Sequence, residues 1–103
     1  MKKKDYAGAQ EPLQAALDLR ARYLPTGHEL IGVSQQALGE CSLALQNYPT
    51  TIVLLEGAYE SLLKYPDKYK ENLNTILQNL TEACEKNNLP DKATHYQTLI
   101  ANL

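Results

Sequence analysis

Four helix-breaking clusters divide the chain at close to regular intervals: Pro25-Thr26-Gly27, Asn47-Tyr48-Pro49, Tyr65-Pro66-Asp67 and Asn87-Asn88-Leu89-Pro90. Proline lacks the amide donor of a helix interior and pushes its predecessor out of the helical region, so each cluster marks a helix end. Between clusters the apolar residues recur at three- and four-residue spacing, and no segment alternates with period two for the length of a strand. An all-α chain of about five helices is the expectation. Asp5 caps the first, whose apolar side carries Ala9, Leu13, Ala16, Leu17 and Leu24; Pro12 should delay or kink it. Thr26 with Glu29 three residues on reads as a capping box for a second helix, about His28 to Gln46. A third is expected from Thr50 to Lys64, a fourth from a cap at Asp67 to Lys86, and a fifth from about Asp91 to Leu103.

The breaks carry a period. Leu38 and Leu80, Leu45 and Asn87, and Tyr48 and Pro90 all stand 42 residues apart. The same offset pairs Tyr6 with Tyr48, Ala9 with Thr51, Leu13 with Leu55 and Ala16 with Ala58. A period near 42 with two helices per unit is the signature of a short helical solenoid. Gly39 and Ala58 lack bulk and let neighbouring helices approach, while Leu38, Leu45, Leu55 and Leu62 are expected to fill the layer between them.

Leu38-Gly39, Tyr48, Leu55 and Ala58 together resemble the tetratricopeptide repeat: Leu-Gly in a first helix, an aromatic at the turn, spaced small residues in a second. The 42-residue spacing, with "YLPTGHELIG" between units, is similar to the longer repeats of the kinesin-light-chain type. The resemblance covers about Tyr6 to Leu103 and implies a right-handed helical-hairpin solenoid of one domain. Residues 5–24 would be the second helix of an incomplete repeat, 28–64 the central repeat, and 67–103 the last repeat with a capping helix. Thr81 stands where Gly39 does, Thr51 replaces the usual alanine that Ala9 and Ala93 keep, and Gln97 occupies the Leu13 and Leu55 position.

In such repeats the first helix of each hairpin lines a concave face. Carried over, those positions are Val33, Gln36, Glu40, Leu43 and Ala44, then Thr75, Gln78, Glu82, Glu85 and Lys86. The Lys, Asn and Arg set that clamps a peptide carboxylate is missing. Stacked Glu40 and Glu82 instead suit a protein or peptide ligand bearing Lys or Arg, unless they are simply solvated surface. The first helix has no preceding partner, so Leu13 and Leu17 are expected to be partly exposed and to drive homo-oligomerisation if anything covers them. Groove binding and self-assembly are the two functional readings.

Composition narrows the rest. A net charge of −2 and 44% apolar residues over 103 positions give no basic excess of the kind that nucleic acid or an anionic membrane attracts. Met1-Lys2-Lys3-Lys4 reads as a solvated terminus. No apolar run reaches the roughly 18 residues of a membrane helix, and no signal-peptide core follows Lys4, so a cytoplasmic chain is expected. Asn79-Leu80-Thr81 matches a glycosylation sequon inside a helical pattern and is set aside. Cys41 and Cys84, 43 apart without ligand spacing, read as buried free thiols. His28 falls in the linker and His95 beside Tyr96, neither with metal-ligand spacing, and there is no glycine-rich phosphate loop. No enzyme activity, cofactor or metal is expected. Seven tyrosines without Phe or Trp suit contact surfaces where a ring packs and its hydroxyl stays wet.

Overall fold

A computed structural model describes residues 5–103; the lysine-rich start lies outside the described residues. Five helices follow one another: α1 (Tyr6–Tyr23), α2 (Glu29–Ala44), α3 (Tyr48–Leu62), α4 (Lys70–Lys86) and α5 (Pro90–Ala101). Among the described residues there is no strand, and the chain is all-α. Each helix packs on the next in order, and α2 also touches α4.

The helix starts show which of several candidate caps prevails. Asp5 caps α1 by accepting from the Gly8 amide at 2.8 Å, and the helix continues through Pro12. The expected Thr26–Glu29 capping box does not form. His28 takes the cap instead, its Nδ1 accepting from the Leu30 amide at 3.0 Å, while the Glu29 carboxylate turns away to Lys68 and Tyr69. α3 begins at Tyr48, two residues before the expected start. Proline is tolerated in a first turn because its missing donor has no partner there, and Asn47 already accepts from the Thr50 amide. α4 starts later than expected, at Lys70, because residues 67–69 form a turn and Asp67 lies outside the helix.

Two helix ends repeat each other. Gln46 after α2 and Asn88 after α4 have φ of 64° and 59°, the left-handed conformation. In each turn the left-handed residue's amide donates three residues back, Gln46 to Leu43 and Asn88 to Glu85. The next amide donates five back, Asn47 to Ser42 and Leu89 to Cys84. These bonds satisfy carbonyls that a helix end leaves free, and they fold the chain sharply into the following helix. The α2–α3 and α4–α5 hairpins therefore turn by one device, at positions 42 residues apart.

The core lies across α3, α4 and α5. Leu55, Ala58 and Leu62 interlock with Leu73, Ile76, Leu77 and Leu80, all essentially inaccessible to solvent. Each buried leucine or isoleucine contributes about 1.5–3 kcal/mol over its exposed state. Leu38 is buried as expected, but Leu45, expected in this layer, caps the C-terminus of α2 and is exposed. Gly39 lets α2 approach Leu55: a β-carbon there would fall 2.7 Å from Leu55 Cδ2. The two threonines at small-residue positions fit because each hydroxyl folds back on its own helix. Thr51 donates to the Asn47 carbonyl at 2.8 Å and Thr81 to the Leu77 carbonyl at 2.9 Å.

Candidate functional site

Packing α2 beside α4 leaves a cleft of about 520 Å³ between them. Glu40, Leu43 and Ala44 form its α2 wall, and Thr75, Asn79, Glu82 and Lys86 its α4 wall. Gln46, on the hairpin turn, and Tyr48, at the start of α3, complete one end. On α4 the lining residues recur at spacings of four, three and four, one stripe of a helix.

Six of the concave positions carried over from sequence meet in this cleft: Glu40, Leu43, Ala44, Thr75, Glu82 and Lys86. The others are placed elsewhere. Val33 is half-buried against the core. Gln36 is only 9% exposed and engaged on both sides. Its Nε2 donates to Glu40 Oε2 at 2.9 Å, and its oxygen accepts from Asn72 Nδ2 at 2.7 Å. Gln78 and Glu85 are exposed on α4 but do not line the cleft. Asn79, Gln46 and Tyr48 join the lining without having been assigned to it. Asn79 was accessible to helical arithmetic, standing four residues after Thr75 and three before Glu82.

Charges in the cleft are already partly matched. Lys86 Nζ lies 3.1 Å from Glu82 Oε2 and 5.9 Å from the centre of the Tyr48 ring. The hydrogen bond to Glu82, then the neighbouring Tyr48 and Glu82, hold the Lys86 ammonium above its ordinary value. The surface is thus amphoteric: an acidic point at Glu40, an ion pair at Glu82 and Lys86, and apolar patches at Leu43 and Ala44. An extended segment carrying both polar and apolar groups matches it better than a purely basic one.

A second surface belongs to α1, in which none of the helical residues is buried. Leu13 and Leu17 are half-buried, and Leu13 borders a recess of about 390 Å³ with Tyr6, Ala9 and Cys41. The most exposed large apolar groups of α1 are Leu19 (57%) and Tyr23 (73%), one turn apart and outside the sequence-derived set.

Other candidate chemistry finds structural employment. Cys41 and Cys84 are buried and unpaired, and the Cys41 thiol donates to the Tyr6 carbonyl at 2.9 Å. Burial pushes both thiols up, away from the thiolate that nucleophilic attack requires. His28 caps α2, and His95 stands against Tyr96 with ring centres 5.3 Å apart. Among the described residues no three His, Cys, Asp or Glu side chains gather as a metal site. No helix there is long and apolar enough to cross a membrane.

Compared with known protein families, curated proteins and solved structures, the chain matches none.

Proposed function

We propose that the chain is a tetratricopeptide-like interaction scaffold that holds a peptide or helix of a partner protein in the cleft between α2 and α4. The observation that carries this reading is the cleft itself: an elongated surface on two neighbouring helices, with open carboxylate, amide and hydroxyl groups beside Leu43 and Ala44. Such a surface supplies orientation through polar groups and affinity through apolar contact. Two further facts support the repeat arrangement beneath it. The hairpin turns repeat at Gln46 and Asn88. Glu29 and Glu56 each accept from a tyrosine 40 residues later, Tyr69 and Tyr96. Unpaired buried cysteines fit a cytoplasmic setting. The test is selection of binders from a displayed peptide library, followed by titration into wild type and a Glu40→Lys, Glu82→Lys double variant of confirmed helicity. Loss of binding by tenfold or more, of the order expected from removing hydrogen-bonded charge contacts, supports the cleft. Equal affinity of both forms rejects it.

A second reading, assembly of identical chains through α1, is favoured by Leu19 and Tyr23 on its surface. Light scattering over a concentration series decides it. A dimer that Leu19→Glu dissolves supports assembly, whereas a concentration-independent mass of 11.5 kDa rejects it.

A further inference from the structure

Away from the α2–α4 cleft, the seam between α3 and α5 opens into a second cavity of about 370 Å³. Leu80, from a different stripe of α4, lies fully buried beneath it, and Leu99 adds a second apolar contact. Its remaining lining is aromatic and acidic: Tyr59 and Glu60 from α3, with Glu56 one turn before, and His95 and Tyr96 from α5. The Tyr96 hydroxyl donates to Glu56, and Lys92 Nζ lies 2.9 Å from the same carboxylate. These contacts anchor Tyr96 in place. Glu60, four residues from Glu56 on the same helix, forms no ion pair among the described residues.

The repeat supplies an internal comparison. Subtracting 42 takes Tyr59, Tyr96 and His95 to Leu17, Leu54 and Val53, and Glu56 to Gln14, whereas Glu60 falls on Asp18, which keeps a carboxylate. Apart from Asp18, those places on α1 and α3 hold aliphatic side chains and a neutral amide, with Val53 70% exposed. The repeat therefore keeps a carboxylate at the Glu60 position but does not require aromatic rings or the Glu56 carboxylate. Tyr96 and Glu56 are accounted for by their bond to each other, which leaves the Tyr59 and His95 rings beside Glu60 as what sets this pocket apart.

We propose that this pocket binds an alkylated ammonium group, the chemistry shared by a methylated lysine side chain and a free quaternary ammonium compound. Aromatic rings attract a cation through their quadrupole, and the attraction strengthens where the cation is withdrawn from water. Alkyl groups on the nitrogen meet Leu99 and the rings, while Glu60 supplies the balancing charge. A bare ammonium is served less well: it is more strongly hydrated, and with the Glu56 carboxylate occupied by Lys92 and Tyr96 only Glu60 is left to replace that hydration.

The experiment is an NMR titration of the whole chain with tetramethylammonium chloride, against sodium chloride of equal ionic strength and against tert-butanol as an uncharged control. Saturable shifts of the Tyr59, Tyr96 and His95 ring protons are expected with tetramethylammonium alone. Glu60→Gln and Tyr59→Leu should each weaken binding by roughly three- to tenfold, as loss of a charge partner or one cation–π contact implies. Glu60 is exposed, so its variant keeps the test open if Tyr59→Leu repacks the seam. Shifts no larger than those of sodium chloride overturn the proposal, as does tert-butanol binding equally well or affinity unchanged in both variants. A trimethyllysine peptide that binds more tightly than tetramethylammonium, with its unmethylated form inactive, assigns the ligand to a modified protein. Equal binding of free choline assigns it to a small molecule.

Discussion

The side-chain amide of Asn72 on α4 donates to the amide oxygen of Gln36 on α2 at 2.7 Å, joining the two helices that wall the cleft. Gln36 in turn donates to Glu40, so a residue that helical position alone marks as a ligand contact is a tie between elements. Gln36→Ala is expected to destabilise the fold by about 1 kcal/mol, since it leaves the Asn72 donor and one Glu40 contact without a partner. Urea unfolding measures this. Loss of peptide binding at unchanged stability would instead restore Gln36 to the role of ligand contact.

Gly39 and Gly57 are both helical, yet their alanine variants should differ in sign. A β-carbon at Gly39 meets Leu55 Cδ2 at 2.7 Å and Cγ at 2.9 Å, and Leu55 is fully buried with no room to retreat. Overpacking of about 1–3 kcal/mol outweighs the helix-propensity gain of roughly 1 kcal/mol. At Gly57 the nearest atom is Nε2 of Gln35, the far end of a flexible side chain whose Oε1 has no hydrogen-bond partner. Gly57→Ala should be neutral or stabilising by up to about 1 kcal/mol. Thermal unfolding of the two variants side by side is the check.

Gln46 holds a φ of 64° with a full side chain, whereas Asn88 in the equivalent turn is a residue that tolerates this region. Gln46→Gly should therefore raise stability by about 1 kcal/mol, and Asn88→Gly by less. An unchanged denaturation midpoint for Gln46→Gly would show that its side chain compensates for the backbone conformation.

Acid should loosen the molecule through two carboxylates. Burial raises the Glu56 carboxyl, but the hydrogen bonds from Tyr96 and Lys92 outweigh it and hold the group below 4.5. The hydrogen bond from Lys68, then that from Tyr69, lowers Glu29 in the same direction. In the unfolded chain these groups bind protons more readily. Their stabilisation is complete above about pH 4.5 and is lost as the pH falls through their folded values. Denaturation midpoints measured from neutral pH down to about pH 3 should drop within that window. Glu56→Gln should flatten the drop, and an identical acid profile for wild type and variant would contradict the assignment.

Legibility varied with the range of the interactions involved. Helix number and order were readable because proline clusters and apolar spacing act within a few residues, as at Asn47-Tyr48-Pro49 and Asn87-Asn88-Leu89-Pro90. Helix starts were less so. Thr26, Thr50 and Asp67 are all chemically competent caps, and the choice of His28, Asn47 and Tyr69 depended on how far each helix extends toward its turn. Leu45 has the spacing of a core residue but falls where the backbone leaves the helix. Only part of the cleft was legible: Glu40, Leu43 and Glu82 line it, whereas Gln36 turns inward and Tyr48 enters from the start of α3.

The sequence by itself determined an all-helical chain, the places where it breaks, and the 42-residue recurrence of Leu38 with Leu80. Those features follow from proline's missing donor and from the period of the helix, which need no knowledge of distant contacts. Only the tertiary structure decided which polar side chains remain open to a ligand and which are consumed in joining helices. Glu56 meets Tyr96, and Gln36 meets Asn72, across separations of 40 and 36 residues. Hydrogen bonding is directional and acts over a few ångströms, so the partner is chosen by how the helices settle against one another.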